Sequence, residues 1–225
     1  MSNKLPLGVI LALQEDPQAS LQQVKDFGLP TCQILPPGEE YLNGEKIPAL
    51  LKAIEKTQIE ISTVTIGFPG QVWDFIQGPS TIGFVPPATR QKRLALAKKI
   101  SDFAKEIKVD HVTGHVGFLP ENPEDKTYKE VIELLKEWIS YCGENGQYFC
   151  FETGQETPIT LKRAIEDIGL PNIGINFDPA NLVMYGKANP LDALEILGPY
   201  VRGVHCKDGH YPTDPRKLGE EVPLG

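Results

Sequence analysis

Seven times along this chain a short apolar run gives way to a longer amphipathic stretch, and that alternation restricts the fold more than any other feature. Short runs rich in β-branched and aromatic residues read as strands, and stretches whose apolar positions recur every three to four residues read as helices. The expected strands are Leu7–Leu13, Thr31–Leu35, Glu60–Ile66, His111–His115, Tyr148–Glu152, Ile173–Asp178 and Val201–His205. The expected helices begin with one capped near Asp16 and ending at Gly28. They continue with Ile47–Thr57, Ala88–Ile107, Pro123–Asn145, Ile159–Ile168 and Pro190–Leu197. Gly28, Gly169 and Gly198 follow apolar-periodic runs, where a left-handed C-cap costs glycine least. Strand centres such as Ile173-Gly-Ile-Asn-Phe177 are apolar on both faces, as a parallel sheet covered by helices requires.

Repeated βα units build either an open doubly wound sheet or a closed barrel. The first βα turn, Gln14-Glu-Asp-Pro17, carries no GxGxxG or Walker lysine motif, which removes the main signature of a nucleotide-binding open sheet. Polar residues recur at strand C-termini, where a barrel assembles its site from several strands. The expected fold is therefore α/β, a (β/α)8 TIM barrel reduced to about seven βα units, with residues 1–225 forming one domain. A net charge of -8 and the absence of a basic run disfavour nucleic acid as a partner, because nonspecific affinity for a phosphate backbone is mostly electrostatic. The N-terminal stretch Met1–Leu13 meets Glu15 and Asp16 where a leader would need small residues, and no apolar run approaches the roughly 18 residues of a membrane span. A cytoplasmic protein without membrane contact is expected. Cys32, Cys142, Cys150 and Cys206 form no CxxC and read as buried thiols rather than zinc ligands or disulfides.

Glu152, Asp178 and His205 each end an apolar strand, at spacings of 26 and 27 residues. One βα unit separates each from the next, so the three should arrive at the same height on neighbouring strands. Singly they have ordinary explanations: Glu152 a salt-bridge partner, Asp178 a cap for the turn begun by Pro179, His205 a satisfied core histidine. In phase with the repeat, two carboxylates and an imidazole instead suit a divalent metal ion, with Mn²⁺, Mg²⁺, Co²⁺ and Zn²⁺ all compatible with that donor set.

The segments Cys150-Phe-Glu-Thr-Gly154, Asn176-Phe-Asp-Pro-Ala-Asn181 and Val204-His-Cys-Lys-Asp-Gly209 resemble the xylose-isomerase-like sugar phosphate isomerase/epimerase family. The resemblance implies that Glu152, Asp178 and His205 hold the metal and that Glu152 acts as an acid/base beside a substrate carbonyl. The substrate would be a sugar or sugar phosphate, isomerised or epimerised through an enediolate. It also implies a second Glu on an eighth strand. Only twenty residues follow His205, and Glu220 and Glu221 fall in what reads as the loop before that strand, so neither is assigned as a ligand. The chain is expected to be truncated at its C-terminus and at best weakly active. Strands one and seven would then keep unpaired edges unless another chain covers them, which leaves room for a homo-oligomer.

Around the three ligands, His115 at the end of the fourth strand is expected at the same mouth, in contact with substrate or water. Asn181 matches a family position that bonds substrate, and Gln155 and Glu156 follow Glu152 on its loop, either touching sugar hydroxyls or forming solvated loop polarity. Lys207 is a candidate for a phosphate or a polarised hydroxyl, with Asp208 orienting it. His111 reads as structural, and His210 and Tyr211 as surface. The Gly/Pro-rich stretch Gly67–Pro87 is too long for a routine connection. Its Trp73, Phe75 and Phe84 are expected either to form a lid over the site or to make a satellite apolar cluster. Two other functions fit less well: a metal-dependent hydrolase like the endonucleases that act at abasic DNA, against which the four histidines and the acidic charge argue, and a sugar-binding barrel fragment without turnover.

Overall fold

The computed structural model describes residues 5–225, so Met1–Lys4 of the stretch weighed as a leader lie outside it. Its centre is a curled sheet of seven strands: β1 (Gly8–Leu11), β2 (Thr31–Ile34), β3 (Glu60–Thr65), β4 (His111–Gly114), β5 (Tyr148–Glu152), β6 (Ile173–Phe177) and β7 (Val201–Val204). The strands pair in sequence order and every pairing is parallel. Among the described residues β1 and β7 do not pair with each other. The result is a (β/α)8 architecture with seven of its strands and one open seam.

Helices α1 (Pro17–Asp26), α2 (Glu39–Leu42), α3 (Ile47–Thr57), α4 (Gly78–Thr81), α5 (Arg90–Glu106), α6 (Lys126–Glu144), α7 (Pro158–Ile168), α8 (Pro179–Met184) and α9 (Pro190–Leu197) fill the connections. Four of them start the same way, with a capping side chain directly before a proline: Asp16-Pro17, Thr157-Pro158, Asp178-Pro179 and Asn189-Pro190. The cap accepts a backbone N–H that the helix leaves unsatisfied, and proline at the first position has no N–H to lose. Gly28 and Gly169 take the left-handed conformation expected of them, with φ of 71° and 69°. Gly198 does not. Its φ is -47° and it opens a 3₁₀ turn, Gly198–Tyr200, in which Pro199 fixes the next φ.

The core lies between the sheet and the helices, where Trp138 of α6 packs on Phe149 of β5, and Phe149 on Phe151. The outer strands contrast with this: Ile10 of β1 and Val204 of β7 remain half exposed at the seam. The long β3–α5 segment is tied down rather than free. Arg90 donates to the carbonyls of Phe84 and Val85, and Arg93 to those of Gly83 and Thr81. Gly83, at φ 64°, lies so close to the β4 exit that a Cβ would fall 2.1 Å from the backbone of Val116. Phe84 accordingly belongs to the main core, against Phe68 and Trp138, which corrects its expected place in a lid or satellite cluster. A short antiparallel pair, β8 (Asp208–Gly209) with β9 (Glu221–Val222), folds the last residues back beside α8. Among the described residues no helix is long and apolar enough to cross a membrane.

Candidate metal centre at the barrel mouth

Glu152 is the last residue of β5, Asp178 follows β6 and His205 follows β7. Parallel pairing across these three strands, with Glu152 beside Asn176 and Phe177 beside Val204, brings their side chains to one level. His205 Nδ1 lies 3.2 Å from Glu152 Oε1 and 3.4 Å from Asp178 Oδ2. One donor atom from each of the three residues falls within 4.8 Å of the others. Ligands about 2.1 Å from a common ion at tetrahedral to right angles stand about 3.0–3.4 Å apart, so the two distances from His205 fit a divalent cation.

Asp178 has two tasks, one per oxygen. Its Oδ1 accepts the Asn181 N–H at 2.8 Å and so caps α8, while Oδ2 faces His205. Thr153, just past β5, clamps the same residue: its hydroxyl donates to the Asp178 carbonyl at 2.9 Å and accepts the Asp178 N–H at 2.8 Å.

His115, after β4, places Nε2 3.3 Å from Glu152 Oε1. Gly154 makes the space, since a Cβ there would lie 3.2 Å from the imidazole. Trp73 covers the ring edge-on, with centroids 5.0 Å apart. Burial works against ionisation of Glu152, yet the two imidazoles outweigh it and hold the carboxyl far below the usual range. Burial likewise disfavours the charged form of His205, but Asp178 and Glu152 overcome it and raise its pKa to about 9. His115 follows the same pattern: burial is opposed by Glu152, Glu156 and Asp178, with a net upward direction.

Lys207 donates to Asn181 Oδ1 at 2.9 Å and pairs with Glu221 at 3.2 Å, with Asp178 Oδ2 3.9 Å away. The orienting carboxylates are thus Glu221 and Asp178, whereas Asp208 accepts N–H bonds from Gly209 and Gly225. Gln155 and Glu156 are buried, not solvated loop polarity. Among the described residues, both polar ends of Gln155, both oxygens of Glu156 and His115 Nδ1 lack a well-formed hydrogen bond, and burial lifts the Glu156 carboxyl to about 7 against the pull of His115, the nearby backbone N–H groups and Lys187. His111 pairs with Asp110 and stacks on Tyr148 away from the mouth, and Tyr211 is largely exposed.

Above the cluster opens a cavity of about 1180 Å³ lined by Gln33, Thr65, Trp73, His115, Glu152, Asn181, His205 and Lys207, with an apolar arm past Leu35, Pro36 and Phe68. Gln33, Thr153 and Asn176 are site residues that the sequence does not single out, and Glu221, weighed there only as a metal ligand, instead pairs with Lys207. A signal existed for Gln33 and Asn176, each a lone amide inside an apolar strand.

The family described as the xylose isomerase-like TIM barrel matches residues 21–225. The chain belongs to that family. Among solved structures it resembles a xylose isomerase domain protein from Planctomyces limnophilus, at 33% identity and TM-score 0.92, covering 100% of this chain and 83% of that one. A D-tagatose 3-epimerase-like protein shares the fold at 20% identity and TM-score 0.71, covering 92% of this chain and 78% of the other. So does a xylose isomerase-like TIM barrel protein from Mycobacterium smegmatis in complex with magnesium, at 17% identity and TM-score 0.72, covering 97% and 81%. No curated protein matches the chain significantly.

Proposed function

We propose that this family member holds a divalent cation through Glu152, Asp178 and His205 and acts there as an isomerase or epimerase on a sugar or sugar phosphate. The convergence of those three donors on one point at the cavity floor carries the reading. A bound cation would supply polarisation of the substrate carbonyl and stabilisation of charge developing on its oxygen. The chain's own groups do the rest. Glu152, ionised in its buried setting, takes the proton from the carbon beside the carbonyl, and His115 Nε2 bonds its Oε1 and steadies its orientation. Lys207, pinned by Asn181 and Glu221, meets a hydroxyl or phosphate of the substrate. Asn181, Gln155 and Glu156 complete the proposed binding set, the buried pair Gln155–Glu156 acting through His115. Trp73 walls the cavity and keeps water from the reacting carbon.

The names of two proteins that share the fold, a D-tagatose 3-epimerase-like protein and a 3-keto-D-glucoside 4-epimerase from E. coli, support proton transfer beside a ketose carbonyl as the reaction class. A second reading, sugar binding without turnover, is favoured by one observation: among the described residues the carboxylates lining the cavity are Glu152 and Glu39, and Glu39 belongs to α2, not to a strand end beside the three donors. Metal analysis of the purified chain beside Glu152→Gln and His205→Ala tests the site, and absence of divalent metal in the parent would sink it. Incubating a ketohexose with metal-loaded protein in D₂O then separates the readings, since turnover washes deuterium into the sugar and binding alone leaves it unlabelled.

A further inference from the structure

Gln33 lies at the far side of the mouth from His205, on β2, and 172 residues separate them in sequence, yet its Oε1 stands 3.1 Å from His205 Nε2. We propose that Gln33 is a positioning residue that fixes the His205 tautomer able to bind a divalent cation, an inference that rests on the metal reading above. His205 turns Nδ1 toward Glu152 and Asp178. To ligate from that atom its lone pair must be free, so the one hydrogen of the neutral ring has to sit on Nε2, which then needs an acceptor. In metal sites that outer hydrogen bond sets the tautomer and the ring orientation.

Gln33 is built to be that acceptor. Its own Nε2 donates to Thr65 Oγ1 at 2.9 Å, which leaves Oε1 for the imidazole. Asn176 also approaches His205 Nε2, at 2.9 Å through Nδ2. Turning that amide by 180° presents Oδ1 to the same hydrogen without altering its shape. Both amides follow directly on a register irregularity, between Cys32 and Gln33 in the β2–β3 pairing and between Ile175 and Asn176 in β6–β7. Such irregularities re-aim side chains next to functional sites. In each pairing the extra residue lies on the neighbouring strand, Ser62 on β3 and Arg202 on β7, directly before the partner of the amide that reaches His205.

Zn²⁺ affinity is measured at pH 7.0 against a chromophoric chelator for the parent, Gln33→Leu and Gln33→Glu, with far-UV circular dichroism of the metal-free proteins as the folding control. Gln33→Leu should lose affinity about 10–100-fold. Gln33→Glu, whose carboxylate accepts the same hydrogen, should restore it to within about threefold. In the Zn²⁺-loaded parent, nitrogen-15 spectra of the His205 ring should place the hydrogen on Nε2 and the metal on Nδ1. Gln33→Leu binding within twofold of the parent overturns the proposal while leaving the metal centre standing. Should Gln33→Leu fail to fold, the ring spectrum decides, because a parent ring bound to Zn²⁺ through Nε2 overturns it equally. A parent that binds no divalent cation overturns this inference together with the site it rests on.

Discussion

Substituting Glu156 by Gln should stabilise the metal-free protein at neutral pH and leave it nearly unchanged in acid. The Glu156 carboxyl is buried without a well-formed hydrogen bond among the described residues, and burial raises its pKa from 4.5 to about 7 despite the attraction of His115, nearby backbone N–H groups and Lys187. A carboxyl raised in the folded state adds stability in full below its unfolded value of 4.5, and loses it as pH climbs through about 7. At about 1.4 kcal/mol per pH unit, the cost of ionising Glu156 in place comes to roughly 3 kcal/mol. Urea unfolding of parent and Glu156→Gln, with a chelator present, gives the free-energy difference between them at each pH. Other titrating groups are common to both proteins, so the difference reports Glu156 together with the His115 ring whose charge it helps to hold. It should grow in favour of Glu156→Gln by about 3 kcal/mol between pH 4 and pH 8, most steeply from 5 to 7. A difference flat to within about 0.5 kcal/mol would refute the reasoning, because it would mean that the carboxyl finds water or a donor that the buried setting excludes.

Divalent metal affinity should itself depend on pH. His205 holds a proton up to about 9 that a cation must displace, so Mn²⁺ affinity, followed by electron paramagnetic resonance of the free ion, should rise about tenfold per pH unit from roughly 6.5 to 8.5. A flat profile would remove His205 from the ligand set. Thr153→Val should cost about 2–3 kcal/mol in urea unfolding, since it strips a partner from both the buried N–H and the carbonyl of Asp178, whereas Thr153→Ser should keep most of the clamp. Within the long β3–α5 segment, Phe84→Ala should cost about 3–5 kcal/mol, as emptied core positions do, and Trp73→Ala, half exposed over His115, less than about 1 kcal/mol. Equal losses would contradict the division of that segment into a core anchor and a site wall.

The frame was legible because it is periodic. The seven strands fall within a few residues of their expected bounds, and the spacings of 26 and 27 residues suffice to bring Glu152, Asp178 and His205 together, since parallel pairing fixes their height once the strands are placed. What escaped is local or crosses the barrel. Helices α2 and α4 have four residues each and α8 has six, too few turns to display a helical period. Gly198 reads as a helix stop by composition, but Pro199 converts it into the start of a 3₁₀ turn. The burial of Gln155 and Glu156 is invisible in a loop sequence, where polar residues ordinarily face water. Phe84 gives no local sign that it passes beneath β4 to reach Trp138.

The three ligands do not depend equally on the open seam. Glu152 ends, and Asp178 follows, a strand paired on both sides, and both residues are almost completely buried. His205 follows β7, whose outer edge is unpaired among the described residues, and its backbone is held from one side, by its N–H donating to the Phe177 carbonyl. A closed barrel would brace such a strand from its other neighbour. Here the bracing comes through the side chain instead, by way of Gln33 from β2 and Asn176 from β6. The carboxylates are therefore fixed by the sheet, while the imidazole is fixed by two amides. Perturbations at the seam should act on metal affinity through His205 before they disturb Glu152 or Asp178.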